Sequence, residues 1–373
     1  MGSADIIVIG GGLSGSAVAL GLVRLGAGKV LLFDEQLPCQ RLSRGNFGLT
    51  WYMCKGGNNP VYAKWCRMAT EEWPAFAAQL EEETGYDLEV EWTGGAVHAV
   101  GEEQFAAYAQ SIESLREICR QAGLDYPARM ISREEFAEMI PDLPIGEKVT
   151  GFMYAADQGH VNPLKLLGAL RAEFQKRGGR YFCGKTVTAL QPQPDGTCLV
   201  QTGTESFSCG KVVVATGHGT NKLLSPLGER LPIYPSRGQL LVTERHPRLL
   251  KIPVLAVRQT PDGTFIIGLS TEDTAHDSQV TMEAMKNQAS NAITLFPSLA
   301  RLNWVRAWGA VRVMTPDGAP IYSRLQDFPA ITVIALHSAV SLAPLKISAI
   351  APWILGQKET EQISSFSNGR FHV

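Results

Sequence analysis

The stretch DIIVIGGGLSG, residues 5–15, determines the architecture of everything around it. Asp5 to Ile9 is an apolar, β-branched run of the kind that forms a strand covered on both faces. Gly10, Gly12 and Gly15 follow with G-x-G-x-x-G spacing. Ser16 to Leu25 is small and aliphatic, which predicts a helix, and Gly26 and Gly28 break it. Lys29 to Phe33 is a second apolar strand, closed by Asp34. The order is strand, glycine turn, helix, strand, acid.

Each residue type answers a physical demand. Gly10 permits a tight turn, Gly12 lets the backbone approach a pyrophosphate, and Gly15 lets helix and strand pack closely. The helix N-terminus offers unpaired N–H groups and a partial positive charge to phosphates. Asp34, 24 residues after Gly10, is placed to accept hydrogen bonds from ribose hydroxyls.

The chain has 373 residues, enough for one large or two interleaved domains. A chain of this length buries about three quarters of its unfolded surface, so its core needs no covalent staples. Net charge is −2 and Lys and Arg are dispersed, which argues against nucleic acid or an anionic membrane as partner. The seven cysteines, at 39, 54, 66, 119, 183, 198 and 209, include no C-x-x-C pair. An odd count of scattered thiols predicts reduced cysteines and a cytoplasmic protein. The N-terminus lacks the charged and cleavage features of a signal peptide. The most apolar late stretch, Ala330 to Leu355, is interrupted by His337, Pro344, Lys346 and Pro352 and falls short of a membrane span. Histidines and cysteines are scattered, and no metal site emerges.

Outward from the glycine turn, Ser43 to Leu49 (SRGNFGL) is a small, polar loop suited to hydrogen-bonding a ligand. Asn59-Pro60 starts a helix toward Gly85, with Pro74 predicted to kink it. Leu88 to Trp92 and Ala96 to Val100 read as strands, and Glu102 to Ala122 as an amphipathic helix. Ser132 and Glu135 have capping-box spacing. Asn162-Pro163 opens a helix that ends at Gly178-Gly179. Arg180 to Leu190 is strand-like, a hairpin turns at Asp195-Gly196, and Lys211 to Gly217 is another doubly buried strand. Pairing that strand with the first 34 residues implies a sheet assembled from distant parts of the chain. The later segments Gly238 to Glu244, Val254 to Thr260, Thr264 to Leu269 and Trp304 to Val313 suit an antiparallel sheet, with Met282 to Leu295 as a helix. Ile331 to Leu336 is a last strand, after which His337-Ser338 opens the terminal helix.

Taken together, these motifs resemble the FAD-dependent D-amino-acid oxidase superfamily, in particular its glycine oxidase and sarcosine oxidase branch. The resemblance runs nearly end to end. It rests on the glycine turn, Gly159-His160-Val161-Asn162-Pro163, Val212 to Gly217, and Arg237-Gly238-Gln239. It rests also on Trp308-Gly309 with Arg312, Thr315-Pro316-Asp317-Gly318, and Phe366 with Arg370-Phe371. Ser43 to Leu49 and His337-Ser338 look most like the FAD subunit of heteromeric opine dehydrogenases and their D-hydroxyproline dehydrogenase relatives. One departure is that the family's glycines around the histidine before the last helix are replaced here, in Leu336 to Pro344. That replacement predicts a tighter backbone and altered flavin contact at this end.

The resemblance implies an α/β protein with a discontinuous Rossmann-like FAD-binding domain of glutathione-reductase type. Residues 1–86, 147–228 and 317–373 would build it. Residues 87–146 and 229–316 would form a substrate domain on a mixed, largely antiparallel sheet. The implied flavin-binding positions are Gly10, Gly12, Leu13, Ser14, Gly15, Asp34, Glu35, Ser43, Arg44, Asn46, Gly48, Leu49, Val187, Thr216, Gly217, Arg312, His337 and Ser338. Arg312 is the expected clamp for a substrate carboxylate, and His337 a donor or positive charge at the flavin pyrimidine edge. Tyr52, Lys55 and Arg258 are weaker candidates for the pocket wall, and His160 reads as structural. The implied reaction removes a hydride from the carbon beside an amine of an opine or other N-substituted amino acid, leaving an imine that water hydrolyses. Such subunits work with a second, different subunit carrying electron-transfer cofactors and often hold FMN at the interface. Two alternatives stand beside it: a free-standing glycine, sarcosine or D-amino-acid oxidase releasing hydrogen peroxide, and a non-catalytic subunit that only holds a flavin.

Overall fold

A computed structural model describes residues 2–35, 41–57, 59–273, 277–357 and 361–371; Cys39 lies outside them. In chain order the strands are β1 (Gly2–Ile9), β2 (Val30–Asp34), β3 (Gly95–Val100), β4 (Arg129–Ser132), β5 (Val149–Ala155), β6 (Arg180–Cys183), β7 (Ala189–Pro192) and β8 (Cys198–Thr202). They continue with β9 (Glu205–Val214), β10 (Tyr234–Arg245), β11 (Val257–Gln259), β12 (Thr264–Ile267), β13 (Trp304–Met314), β14 (Ile321–Arg324) and β15 (Ile331–Ala335).

The first sheet has the order β14-β15-β9-β1-β2-β6, with the β7–β8 pair attached to β9. β15, β9, β1, β2 and β6 run parallel. Val8 and Ile9 stand opposite Leu32 and Phe33 on one side and Val213 and Val214 on the other. All of these side chains are buried, so the apolar runs that looked doubly covered are so. Fully burying each such side chain contributes roughly 1.5–3 kcal/mol. The Leu13–Arg24 helix crosses from β1 to β2, and the Pro163–Lys176 helix packs beside it.

The Pro60–Thr84 helix passes through Pro74 as one element of 25 residues, with Asn59 Oδ1 capping Tyr62 N–H. The Ser132–Glu135 capping box forms in full. A second sheet, β11-β12-β10-β13, is antiparallel throughout. A third holds β3-β5-β4 and touches the second through the Ala96–Val254 bridge.

Several expectations change. β5, grouped by sequence with the FAD-binding segments, pairs instead with β3 and β4, so the division at 147 cuts a sheet. Leu88 to Trp92 is not a strand: Glu89 is left-handed (φ 52), and only Glu91 bridges, to His160. Arg180 to Leu190 splits into β6 and β7 at Gly184 (φ 77). Val254 and Val257 close a turn on each other, leaving only β11 of the longer strand. The helix after β15 starts at Ala343 rather than at His337, behind a turn in which Leu342 N–H donates to Ser338 O. Cys66, Cys119, Cys198 and Cys209 are buried free thiols.

Candidate functional site

The site begins at the carboxyl ends of β1, β2 and β9, where open parallel sheets bind ligands. Gly10 adopts φ 102 and donates its N–H to Phe33 O at 2.8 Å. A Cβ there would stand 2.4 Å from Ala215 O. At Gly15 a Cβ would lie 1.8 Å from Gly10 O, so only glycine lets the helix sit this close to β1. Gly12 differs, because its Cβ would meet nothing nearer than Ser43 Oγ at 3.9 Å. It borders open space. Gly12 is also the helix N-cap and provides no side-chain acceptor, so the first-turn N–H groups have no side-chain cap.

That open space is a cavity of about 720 Å³. Gly10, Gly12, Leu13, Ser14, Asp34, Glu35, Ser43, Arg44, Asn46, Val187, Thr216, Gly217 and His337 line it. These residues come from separate segments of the sequence. Gly15 lies behind the wall in the helix–strand contact. Asp34 is buried, and its Oδ2 accepts from Gly11 N–H at 2.5 Å, bracing the glycine turn as well as facing the cavity.

In the 43–49 loop, Asn46 Oδ1 accepts from Gly48 N–H at 2.8 Å. Gly48 itself lines neither this cavity nor the one beside it. It is left-handed (φ 90), and a Cβ would stand 2.2 Å from Val161 O, so its glycine serves packing rather than ligand contact. Trp308 Nε1 donates to Arg44 O at 3.1 Å, tying the loop to β13.

The second cavity, about 540 Å³, adjoins the first through Leu42, Asn46, Ala310 and His337, which line both. Leu49, Arg312 and Ser338 face this second space. Arg312 stands opposite Ser236 across the β10–β13 pair. Its guanidinium lies over Gly238, where a Cβ would come within 2.4 Å of Nη2. This explains the Arg-Gly-Gln motif: Gly238 clears the path for Arg312. Arg237 ion-pairs with Glu272 (2.7 Å) and Asp277 (2.9 Å), and Gln239 donates to Glu272 (2.7 Å). Arg312 donates to Ser270 O at 2.9 Å. Burial lowers its pKa, yet a guanidinium starting from 12.5 keeps its charge at neutral pH.

His337 is corrected in one respect. Burial first, then Lys55 and Arg312, push its pKa down to about 4, so at neutral pH it is an uncharged imidazole and not a positive charge. Ser338 Oγ lies 2.8 Å from Tyr62 OH and 3.3 Å from His337 Nε2. The replaced glycines of Leu336 to Pro344 cost no strain, because none of these residues has positive φ. Val340 and Ser341 are buried, and Leu336, His337 and Ala339 still line the first cavity.

Of the weaker candidates, Lys55 lines the second cavity. Tyr52 and Arg258 do not: Tyr52 OH donates to Asp157 Oδ1 (2.8 Å), and Arg258 Nε donates to Phe47 O (2.6 Å). His160 is buried, 3.4 Å from Glu91 Oε2. Sequence reasoning missed Lys185, Thr186 and Ala310 on the first cavity and Ser341 on the second. Ala310 was legible in principle, because it shares a strand face with Arg312 by the two-residue period. Ser341 carried no local signal. Among the described residues no group of side chains has the makings of a metal site, and no helix is long and apolar enough to cross a membrane.

An open, uncapped helix start over a glycine that leaves room for phosphates, continuous with an elongated cleft, fits a flavin dinucleotide. The fold and cleft are those of a dinucleotide-dependent oxidoreductase. The chain belongs to the FAD dependent oxidoreductase family, whose model matches residues 5–348. It is 34% identical to one of the opine oxidase subunits of Agrobacterium tumefaciens (strain Ach5), over 99% of this chain and 98% of that protein. It is 33% identical to the corresponding opine oxidase subunit of Rhizobium meliloti, over 98% and 97% of the two chains. The fold matches the crystal structure of glycine oxidase from Geobacillus kaustophilus with a TM-score of 0.87, at 23% identity and over 99% of both chains. The protein is an FAD-dependent oxidoreductase.

Proposed function

We propose that this chain oxidises the C–N bond of an opine or other N-substituted amino acid, as the FAD subunit of a heteromeric dehydrogenase. The observation that carries the reading is Arg312, a half-buried guanidinium facing the second cavity, bonded among the described residues to the backbone carbonyls of Ser270 and, at 3.4 Å, Arg237. A charge held there without a carboxylate partner suits the carboxylate of an amino-acid-derived substrate, taken by two parallel hydrogen bonds. The likeness to two opine oxidase subunits supports the substrate class, and their designation as subunits supports a second chain.

Bound FAD supplies a two-electron acceptor for the hydride. The chain's residues supply position and protonation state. Leu13 and Ser14, at the head of the helix over Gly12, would hold the pyrophosphate; Asp34 would face the ribose; Thr216 and Gly217 would line the cofactor's path. Arg312 would fix the carboxylate so that the adjacent C–H faces the first cavity. Loss of hydride needs a free nitrogen lone pair, so the amine must react in its neutral form. Arg312 and Lys55 make the pocket positive, which favours the neutral amine over the ammonium. Neutral His337 adds no charge and can offer one N–H at the junction of the two cavities. Hydride departure leaves a C=N bond, and water then releases an amine and an oxo acid.

The test is anaerobic mixing of the holoenzyme with a panel of opines, N-methyl amino acids and simple amino acids. Bleaching of the flavin by opines is the expected result, with Arg312→Leu raising KM by about 100-fold or more while FAD stays bound. No bleaching by any amine would overturn the reading. Steady hydrogen peroxide release by the isolated chain would favour a free-standing oxidase instead.

A further inference from the structure

The second cavity carries a charge imbalance. Lys55 and Arg312 both line it. Among the described residues, neither lies in an ion pair with a carboxylate. Lys55 Nζ donates to Ser341 Oγ at 2.6 Å, and Ser341 Oγ donates onward to Leu49 O at 3.0 Å. The one carboxylate on the cavity wall among the described residues, Asp317, is engaged by Arg370 at 2.9 and 3.1 Å. Glu272, the acid nearest in influence to Arg312, is held by Arg237 and Gln239.

The backbone is shaped to present Lys55 here. Cys54 takes the left-handed conformation (φ 61), uncommon for a residue with a side chain. Lys55 N–H donates to Tyr52 O at 3.3 Å and closes the turn. Gly56 follows at φ 75, and a Cβ there would stand 2.3 Å from Ala63 N, so the loop is pressed onto the head of the Pro60–Thr84 helix. Burial lowers the Lys55 pKa, and Lys55 and Arg312 both act on His337, which lies between the two cavities. Two partly desolvated cations facing one cleft, without counter-ions among the described residues, are costly unless an anion fills it.

We infer that Lys55, positioned by Ser341, is a second carboxylate anchor, and that the pocket selects an amine flanked by two carboxylates, one held by Arg312 and the other by Lys55. The inference rests on the amine-oxidising reading above and narrows it to N-(carboxyalkyl) amino acids over N-methyl ones. The two anchors divide the work by their chemistry. Arg312 offers a planar fork for a carboxylate of fixed orientation beside the reacting carbon, whereas Lys55 offers a point charge that tolerates variation in the far carboxylate.

The test uses ether analogues that cannot be oxidised to an imine: oxydiacetate, with a carboxylate on each side, and methoxyacetate, with one. Binding to the FAD holoenzyme is read by calorimetry and by the shift of the flavin absorption band, and so is independent of turnover. Oxydiacetate should bind the unmodified protein at least ten-fold more tightly than methoxyacetate. Lys55→Met should abolish that preference while changing methoxyacetate affinity less than about three-fold, and Lys55→Arg should retain most of it. Flavin content and the urea midpoint of each variant check folding. With amine substrates, Lys55→Met should raise KM for the dicarboxylate at least ten-fold more than KM for N-methyl amino acids. Equal binding of the two ethers by the unmodified protein, or equal weakening of both by Lys55→Met, would overturn the inference. Those results leave the amine-oxidising reading intact, because that reading is judged separately by flavin bleaching.

Discussion

Gly12 and Gly15 belong to one motif, yet the structure separates their roles, and replacing each with alanine tests the separation. In Gly15→Ala the new Cβ falls 1.8 Å from Gly10 O, a backbone atom that cannot rotate away. A contact of ordinary length needs more than 3 Å, so the helix must retreat from β1 by over an ångström. Overpacking of this kind costs about 1–3 kcal/mol, and the displaced helix start also carries its uncapped N–H groups, the proposed phosphate contacts, away from the cleft. Gly15→Ala should therefore lower the urea midpoint of the flavin-free protein and weaken FAD binding. In Gly12→Ala the backbone is already extended (φ −68, ψ −177), and the Cβ meets only Ser43 Oγ at 3.9 Å. Alanine adopts that conformation without strain, and the unfolded chain loses freedom, so the flavin-free protein should be unchanged or gain about 0.4–1 kcal/mol. The methyl group instead occupies the edge of the cleft. Holding a phosphate off the uncapped helix start should cost about 1–3 kcal/mol, or roughly 5- to 150-fold in FAD affinity. Urea denaturation of the flavin-free variants and fluorescence titration with FAD read the two quantities separately. A Gly12→Ala protein that binds FAD as tightly as the parent would refute the placement of the pyrophosphate. A Gly15→Ala protein with an unshifted urea midpoint would refute the close helix–strand contact.

Other outcomes follow from the same geometry. Asn162 Oδ1 caps Leu164 and Lys165 N–H while Nδ2 donates to Glu89, so Asn162→Ala should cost about 1–2 kcal/mol by urea denaturation, with FAD affinity little changed. Lys346 is fully buried with a hydrogen bond to Ala339 O, and burial followed by repulsion from Lys55 lowers its pKa from 10.5 to about 7. The unfolded chain binds that proton more tightly, so the protein loses stability as pH falls from 10.5 toward 7; Lys346→Met should remove this slope and raise Tm at pH 7. His337 is depressed from 6.5 to about 4, so it too contributes a loss of stability as pH falls from 6.5 toward 4. The parent should fall relative to His337→Leu across that window in urea midpoints, and a constant difference would show that the imidazole is not buried as described.

The nucleotide end of the site was legible because its determinants are local. Glycine spacing, β-branched runs and a helix start lie within 34 consecutive residues, and each follows from backbone sterics that one stretch of chain specifies by itself. Helix caps such as Asn59, Ser132 and Asn162 were legible for the same reason. Gly48 shows the limit: its residue type announced a backbone requirement, but only the fold reveals that the crowding atom is Val161 O. Strand bounds near Glu89 and Gly184 also escaped, since a single left-handed residue ends an apolar run that pattern alone would continue.

What the sequence alone determined is the dinucleotide-binding half, the parallel strands that carry it and the identity of Arg312 as a cation worth watching. What only the tertiary structure decided is the substrate side. Lys55 and Ser341 stand 286 positions apart in the chain, on two loops, and Arg312 reaches the same cavity from β13. Which charges share a cavity, and which lack a counter-ion there, is a property of three-dimensional proximity and desolvation. No local pattern encodes it, because the energy of a charge depends on its neighbours in space rather than its neighbours in the chain.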